Sequence, residues 1–172
     1  VAELKTTAKG EEAAEDWSPA ITIGAGVLIP EAYVADLDVR LGLYRRIAQL
    51  AQAQAIDAFA AEMIDRFGAL PEELENLLSV VALKRLCRAV GVAKLDAGPK
   101  GAVLSFRNDR FADPAGLVRL INANPGSLKL RPDHRLVYQR DWGNTKHRLD
   151  GLKRLLERLV ALVAPTARKV AV

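Results

Sequence analysis

Apolar residues recur along this chain with two different periods, and the change from one to the other divides it. From about Asp36 or Asp38 to Ala51, residues Leu37, Leu41, Tyr44, Ile47, Ala48 and Ala51 fall at three- and four-residue spacing, which predicts an amphipathic helix. A second helix is predicted over about Ala53 to Phe67. Its Ile56, Phe59, Ala60, Met63, Ile64 and Phe67 share a face, and Gly68 suits the left-handed position that ends helices. Pro71 opens a third helix, with Glu72 and Glu73 at its positive N-terminus. It runs through Leu74, Leu77, Leu78, Val81, Leu86 and Val90 and stops at Gly91.

Beyond Gly91 the pattern shortens to strands. Val92 to Leu95 and Ala102 to Arg107 flank Gly98-Pro99-Lys100-Gly101, a plausible hairpin connection. Asp113-Pro114 reads as an N-cap followed by proline at the first helical position, opening a short helix to about Asn122. Leu128 to Arg131 and Arg135 to Gln139 form a second strand pair about Pro132-Asp133. The last helix is expected from about Asn144 to Val163. Leu149, Leu152, Leu155, Leu156, Leu159, Val160 and Val163 form its apolar arc, and Pro165 is expected to end it. The fold class is therefore α+β: three N-terminal helices, two short strand pairs separated by a helix forming a small sheet, and a long C-terminal helix.

The two ends carry little period. Residues 1–28 read as a linker in which Ile21-Thr-Ile23 is at most a short strand, broken by Gly24 and Gly26. The domain proper is expected over 29–163, and 164–172 as a disordered tail. A first residue of Val rather than Met fits a cut fragment or a processed start.

Composition narrows the function classes. A chain of 172 residues, 50% hydrophobic and 27% charged, fits one globular domain with a tail. One Cys excludes a disulfide framework within the chain and fits a reducing cytoplasm. No apolar run approaches the length of a membrane span, and no secretory signal opens the chain. The net charge of +4 conceals a polarity: residues 1–99 hold 10 Lys/Arg against 15 Asp/Glu, and residues 100–172 hold 15 against 6. Such a chain can turn an acidic face to one partner and a basic one to another.

Catalytic chemistry finds little support. There is no phosphate-cradling glycine loop and no dinucleotide fingerprint, so no cofactor is expected. Cys87, His134 and His147 match no zinc spacing. Cys87 reads as a small buried hydrophobe, and the two histidines as surface residues of a turn and of a helix start. Ser105 and Ser127 sit in no nucleophile setting, and no pair of carboxylates has opposed environments. The chain is therefore expected to be non-catalytic.

Two binding surfaces remain. On the last helix, Lys146, Lys153, Arg154 and Arg158 share the exposed side as candidate nucleic-acid contacts, and Arg148 belongs to the same run. Asp150 and Glu157 lie among them, which fits a solvated helix face better than a phosphate-binding one. On the second helix, Glu62 and Asp65 stand about 60° apart and opposite the apolar face, with Ala58 and Ala61 beside them. Asp65 lies in the final turn, where the helix dipole disfavours a negative charge, which hints at a use other than helix stability.

Five segments in succession carry a resemblance: Trp17-Ser-Pro-Ala-Ile21, Val27-Leu-Ile-Pro-Glu-Ala-Tyr33, Arg40-Leu-Gly-Leu-Tyr-Arg-Arg-Ile47, Glu62-Met-Ile-Asp-Arg-Phe-Gly68 and, more weakly, Gly91-Val-Ala-Lys-Leu95. In order and spacing the chain resembles the C-terminal domain of the bacterial transcription-repair coupling factor family (Mfd) over about residues 17 to 163. Met63 stands where a Leu is commoner, a soft apolar exchange. The resemblance implies a parent that is an ATP-dependent DNA translocase. That parent removes stalled RNA polymerase and recruits excision repair through UvrA. None of its motor motifs lies in this chain. The resemblance further implies a regulatory role: docking on the N-terminal UvrB-like module of the same protein and masking the UvrA-binding surface. Glu62 and Asp65 match the positions implicated in that docking. A nucleic-acid-binding accessory domain using the basic second half is the alternative, and a cryptic hydrolase a weaker third.

Overall fold

The computed structural model describes residues 17–171, with side chains as far as Val163. Its elements run β1 (Ala20–Thr22), α1 (Leu37–Ala48), α2 (Ala53–Phe67), α3 (Glu72–Val90), β2 (Val92–Gly98), β3 (Gly101–Phe106), α4 (Pro114–Ala123), β4 (Leu128–Leu130), β5 (Leu136–Gln139) and α5 (Thr145–Ala171). This is the expected α+β class, with three helices, a small sheet and a long last helix, and with β1 added ahead of the helices.

The five strands are ordered β1-β2-β3-β5-β4, with β1 parallel to β2 and the remaining pairs antiparallel. Alternation sets its faces. In β3, Ala102, Leu104 and Phe106 are buried while Gly101, Val103 and Ser105 are half-buried. The β2–β3 hairpin closes across Pro99-Lys100, and Gly101, at φ 145°, is needed there because a Cβ would meet the Tyr138 carbonyl oxygen.

Residues 17–28, read as linker, contribute to the sheet. Ala20, Ile21 and Thr22 pair with Lys94, Leu95 and Asp96, and Ile23 is buried in the main core. That core packs the sheet against the second half of α3 and against α5. Arg148, in the basic run of the last helix but outside its exposed set of four, lies in this interior at 6% exposure. It donates to the carbonyl oxygens of Ile23 at 2.6 Å and Gly24 at 3.4 Å, while its Nε finds no acceptor among the described residues.

A second, smaller core gathers Ile29, Val34, Leu43, Ile47, Ile56, Phe59, Met63, Leu74 and Leu78 from the segment before α1, from α1 and α2, and from the first half of α3. Two tyrosine hydroxyls close it. Tyr44 accepts from the Ile29 N–H at 2.7 Å, and Tyr33 donates toward the carbonyls of Met63 (2.9 Å) and Gly68 (2.7 Å). These contacts explain a correction in α1. The predicted stripe placed Leu37, Leu41 and Ala48 inside, yet all three are exposed; Ile47 is buried as expected, and Leu43, outside that stripe, is buried with it. With Tyr44 tied to Ile29 and Arg40 donating to the Val34 carbonyl at 2.8 Å, the helix is turned about a quarter of the way around its axis from that reading. Ile64, placed on the buried face of α2, is likewise half exposed, because Phe59 and Met63 centre that face one flank away.

Helix boundaries follow their caps. Asp36 accepts from the Val39 N–H and Asp113 from the Gly116 N–H, while Gly91, at φ 86°, ends α3 by donating to the Cys87 carbonyl. The expected stop of the last helix at Pro165 is not observed, since α5 continues to Ala171. A proline forfeits one intrahelical hydrogen bond and strains the turn before it, and here the helical backbone carries on past it.

Candidate functional site

On an ideal helical wheel for α2, the residues pointing farthest from the core are Ala58, Ala61 and Asp65, all exposed. Glu62 stands on the flank nearer α1, and Ile64 on the opposite flank at 50% exposure. The result is a low strip of two alanines with one carboxylate on its crest, another on one side and an isoleucine on the other.

The two carboxylates differ in their surroundings. Glu62 receives a two-pronged contact from Arg46 of α1, with both N–O distances 2.7 Å, and a third from Arg66 one turn on at 3.0 Å. Both guanidinium groups are seated on rings, Arg46 5.1 Å from the centroid of Phe59 and Arg66 4.8 Å from that of Phe67. The hydrogen bonds from Arg46 first, then from Arg66, hold the Glu62 carboxyl at about 2, below its ordinary 4.5. Asp65 takes part in no ion pair among the described residues.

A carboxylate offers about four lone-pair directions. Three of those on Glu62 are taken within the fold, so it is an anchored acceptor with room for one more donor. Asp65 keeps all of its own. The Arg66 contact was readable from sequence, because an acid four residues before a base is the favoured order on a helix. Arg46 was not, since nothing local links residue 46 to residue 62.

The four cations expected on α5 divide into two sets. On the wheel, Lys146 and Lys153 share a flank with Asp150 and Glu157, whereas Arg154 and Arg158 share another with His147. Lys153 lines a hollow with Asp57, Glu75 and Asp150. Arg154 and Arg158 instead border a cleft of about 390 Å³ with Arg140 and Trp142. Arg148, fifth in that run, is interior.

The remaining reactive side chains take up ordinary places. Cys87 is fully buried, and burial pushes its thiol up to about 12. His134 is exposed in the β4–β5 turn at φ 66°, and His147 is exposed in the first turn of α5. Among the described residues no group of three or more His, Cys, Asp or Glu stands close enough to hold a metal ion. Also among them, no helix is long and apolar enough to cross a membrane.

Comparison with known proteins agrees with this geometry. The TRCF domain model matches residues 23–117, from the buried Ile23 through α1, α2 and α3 into α4. The chain is 41% identical over 121 residues to the transcription-repair-coupling factor of Rickettsia conorii, covering 70% of this chain and 11% of that one. It is 30% identical over 132 residues to the Escherichia coli K12 factor, covering 77% and 12%. The chain thus spans about a tenth of the length of these relatives. The crystal structure of the C-terminal domain of a transcription-repair coupling factor shares the fold, with a TM-score of 0.70 at 18% identity, over 85% of this chain and 94% of that one. With the family model covering more than half of its length, the chain belongs to the TRCF domain family.

Proposed function

We propose that this domain is the autoinhibitory element of a transcription-repair coupling factor. In this reading the crest of α2 docks on the UvrB-like N-terminal module of the same protein and masks the surface that UvrA would use. The parent is then an ATP-dependent DNA translocase acting on stalled RNA polymerase, with its motor elsewhere. This domain contributes no catalytic step.

The observation that carries the reading is the division of labour between Glu62 and Asp65. Glu62 is pinned by two arginines, which are themselves held on Phe59 and Phe67. Asp65 stands free beside it on the flat surface left by Ala58 and Ala61. A fixed carboxylate next to an unpaired one orders little side-chain freedom when a basic partner arrives, so little affinity is lost to entropy. The exposed Ile64 supplies apolar area at the edge of the same surface. Tethering within one chain raises the effective concentration of the two modules, so a modest interface suffices to keep it closed. Charged contacts at its rim make it salt-sensitive and selective.

The structure also refines the test. Reversing Glu62 would disturb Arg46 and Arg66 as well as any partner, so Asp65→Lys is the cleaner probe. In the full-length factor, Asp65→Lys is expected to raise UvrA binding while the circular-dichroism spectrum and melting of the domain stay those of the parent. Unchanged UvrA affinity with the domain folded would remove this surface from the role.

A further inference from the structure

Between the end of β5 and the flank of α5 lies the cleft of about 390 Å³ bordered by Arg140, Trp142, His147, Gly151, Arg154 and Arg158. Four of these follow the helical repeat at spacings of four, three and four residues, so His147, Gly151, Arg154 and Arg158 form one stripe of α5 facing it. Arg140 reaches the same cleft from the strand side, its guanidinium donating to the Tyr138 hydroxyl at 3.2 Å.

Two features distinguish this from an ordinary basic surface. First, none of the three guanidinium groups forms an ion pair among the described residues, although Asp141 and Asp150 line the same cleft. Exposed arginines without an ion pair among the described residues occur elsewhere too, at Arg45, Arg85, Arg88, Arg110 and Arg119, so it is the convergence of three on one cleft that sets these apart. Secondly, the side chain at the back of the cleft is Trp142, 7% exposed, whose indole Nε1 is buried and finds no acceptor among the described residues. That Nε1 lies over Gly151, itself part of the lining, so closely that a Cβ there would come within 2.5 Å of it. A buried N–H without an acceptor is a rare and costly arrangement in a folded protein, and one that calls for a partner.

We propose that this cleft is a site for a phosphate oxyanion, as carried by a nucleic-acid backbone or by free phosphate or pyrophosphate. The planar forks of Arg154, Arg158 and Arg140 suit two-point contacts to phosphate oxygens, and the buried indole of Trp142 forms the wall behind them. The site is independent of the docking surface: it lies on α5, whereas the Glu62–Asp65 crest lies on α2. It also differs from a diffuse basic helix face, because Lys146 and Lys153 stand on the other flank among acids.

The test uses the whole chain with Trp17→Phe, which leaves Trp142 as the sole tryptophan and its indole N–H as a single resonance. Titration with pyrophosphate is expected to shift that resonance saturably at millimolar concentration. Arg154→Gln with Arg158→Gln is expected to weaken the binding roughly tenfold or more. Lys146→Gln with Lys153→Gln, an equal change in charge, is expected to leave it unchanged. A parallel titration with a short duplex at low and moderate salt identifies the source. Binding that weakens steeply with salt and is lost in the arginine variant assigns the site to a nucleic-acid backbone. Pyrophosphate binding without duplex binding assigns it to a free phosphate group. No saturable shift with any of the probes, or equal loss in the lysine variant, overturns the proposal.

Discussion

Around α5, Leu152, Leu155, Leu156 and Leu159 are at most 2% exposed, whereas α1 leaves Leu37 at 57% and Leu41 at 42%. The two ends of the molecule are built differently. The sheet half is closed by aliphatic packing on an alternating strand surface. The helical half has a smaller core, finished by tyrosine hydroxyls bonded to backbone and by an arginine–glutamate cluster on its surface. α3 belongs to both, which is why its buried residues, among them Leu74, Val80, Leu83 and Cys87, point in several directions instead of one. In the proposed reading, the larger core and the docking surface of α2 are allotted to different ends of one domain. The surface that docks in our reading sits on the half with less apolar burial, where local opening requires the least.

The largest effect that would test this contrast comes from truncating one core leucine or its counterpart. Leu156→Ala and Met63→Ala both remove fully buried side chains, and each is expected to cost about 2–5 kcal/mol. Hydrogen exchange should separate them. Met63→Ala is expected to raise exchange in α1 and α2 while the β2–β3 hairpin keeps its protection, and Leu156→Ala to weaken protection throughout. Uniform loss in both variants would make the two halves a single cooperative unit and remove the contrast.

A smaller effect is expected at Gly151. An alanine there would place its Cβ 2.5 Å from Trp142 Nε1 and 3.2 Å from Cε2. Overpacking of this kind costs about 1–3 kcal/mol. Urea denaturation should register that cost, and the near-ultraviolet signal of Trp142 should change with it. A neutral Gly151→Ala would show that the indole can move aside, and that the sheet half is less tightly specified than its burial suggests.

The smallest effect concerns pH. The Glu62 carboxyl titrates lower in the folded state, about 2, than its ordinary 4.5, so the folded state favours its ionised form. The stabilisation is therefore present above about 4.5 and is lost as pH falls through about 2. Because the group is open to solvent and screened, the effect is modest. The stability difference between the wild type and Glu62→Gln is expected to shrink as pH falls across that window. A difference independent of pH would show that the Arg46 contact contributes nothing in solution.

Much of the sheet half was legible because its signals are local. The Gly98-Pro99-Lys100-Gly101 connection, the Asp113-Pro114 cap and the leucine arc of α5 each follow from a few neighbouring residues. β1 could be read only as a possible short strand, because its three residues gain their meaning from a parallel partner more than seventy positions away. The orientation of α1 was misjudged for a related reason. Leu37, Val39, Leu41 and Leu43 offer two competing stripes, and Tyr44 and Arg40 choose between them through contacts with residues 29 and 34. At the candidate site, the Glu62–Arg66 pair is visible in the spacing, but Arg46 arrives from another helix. Arg148 read as the one member of the basic run outside its exposed side, and the backbone carbonyls that hold it, those of Ile23 and Gly24, lie too far along the chain to be seen there.

That arginine ties the end of β1 to the final helix. Its guanidinium has two backbone carbonyls for company, and the nearer lies 125 positions earlier in the chain. Peeling β1 from the edge of β2 would leave a cation stranded in a hydrophobic interior, an expensive outcome when its former acceptors depart. A tug on the residues leading into β1 is therefore felt at the opening turn of α5, and the two extremities of the fold are fastened by one clasp.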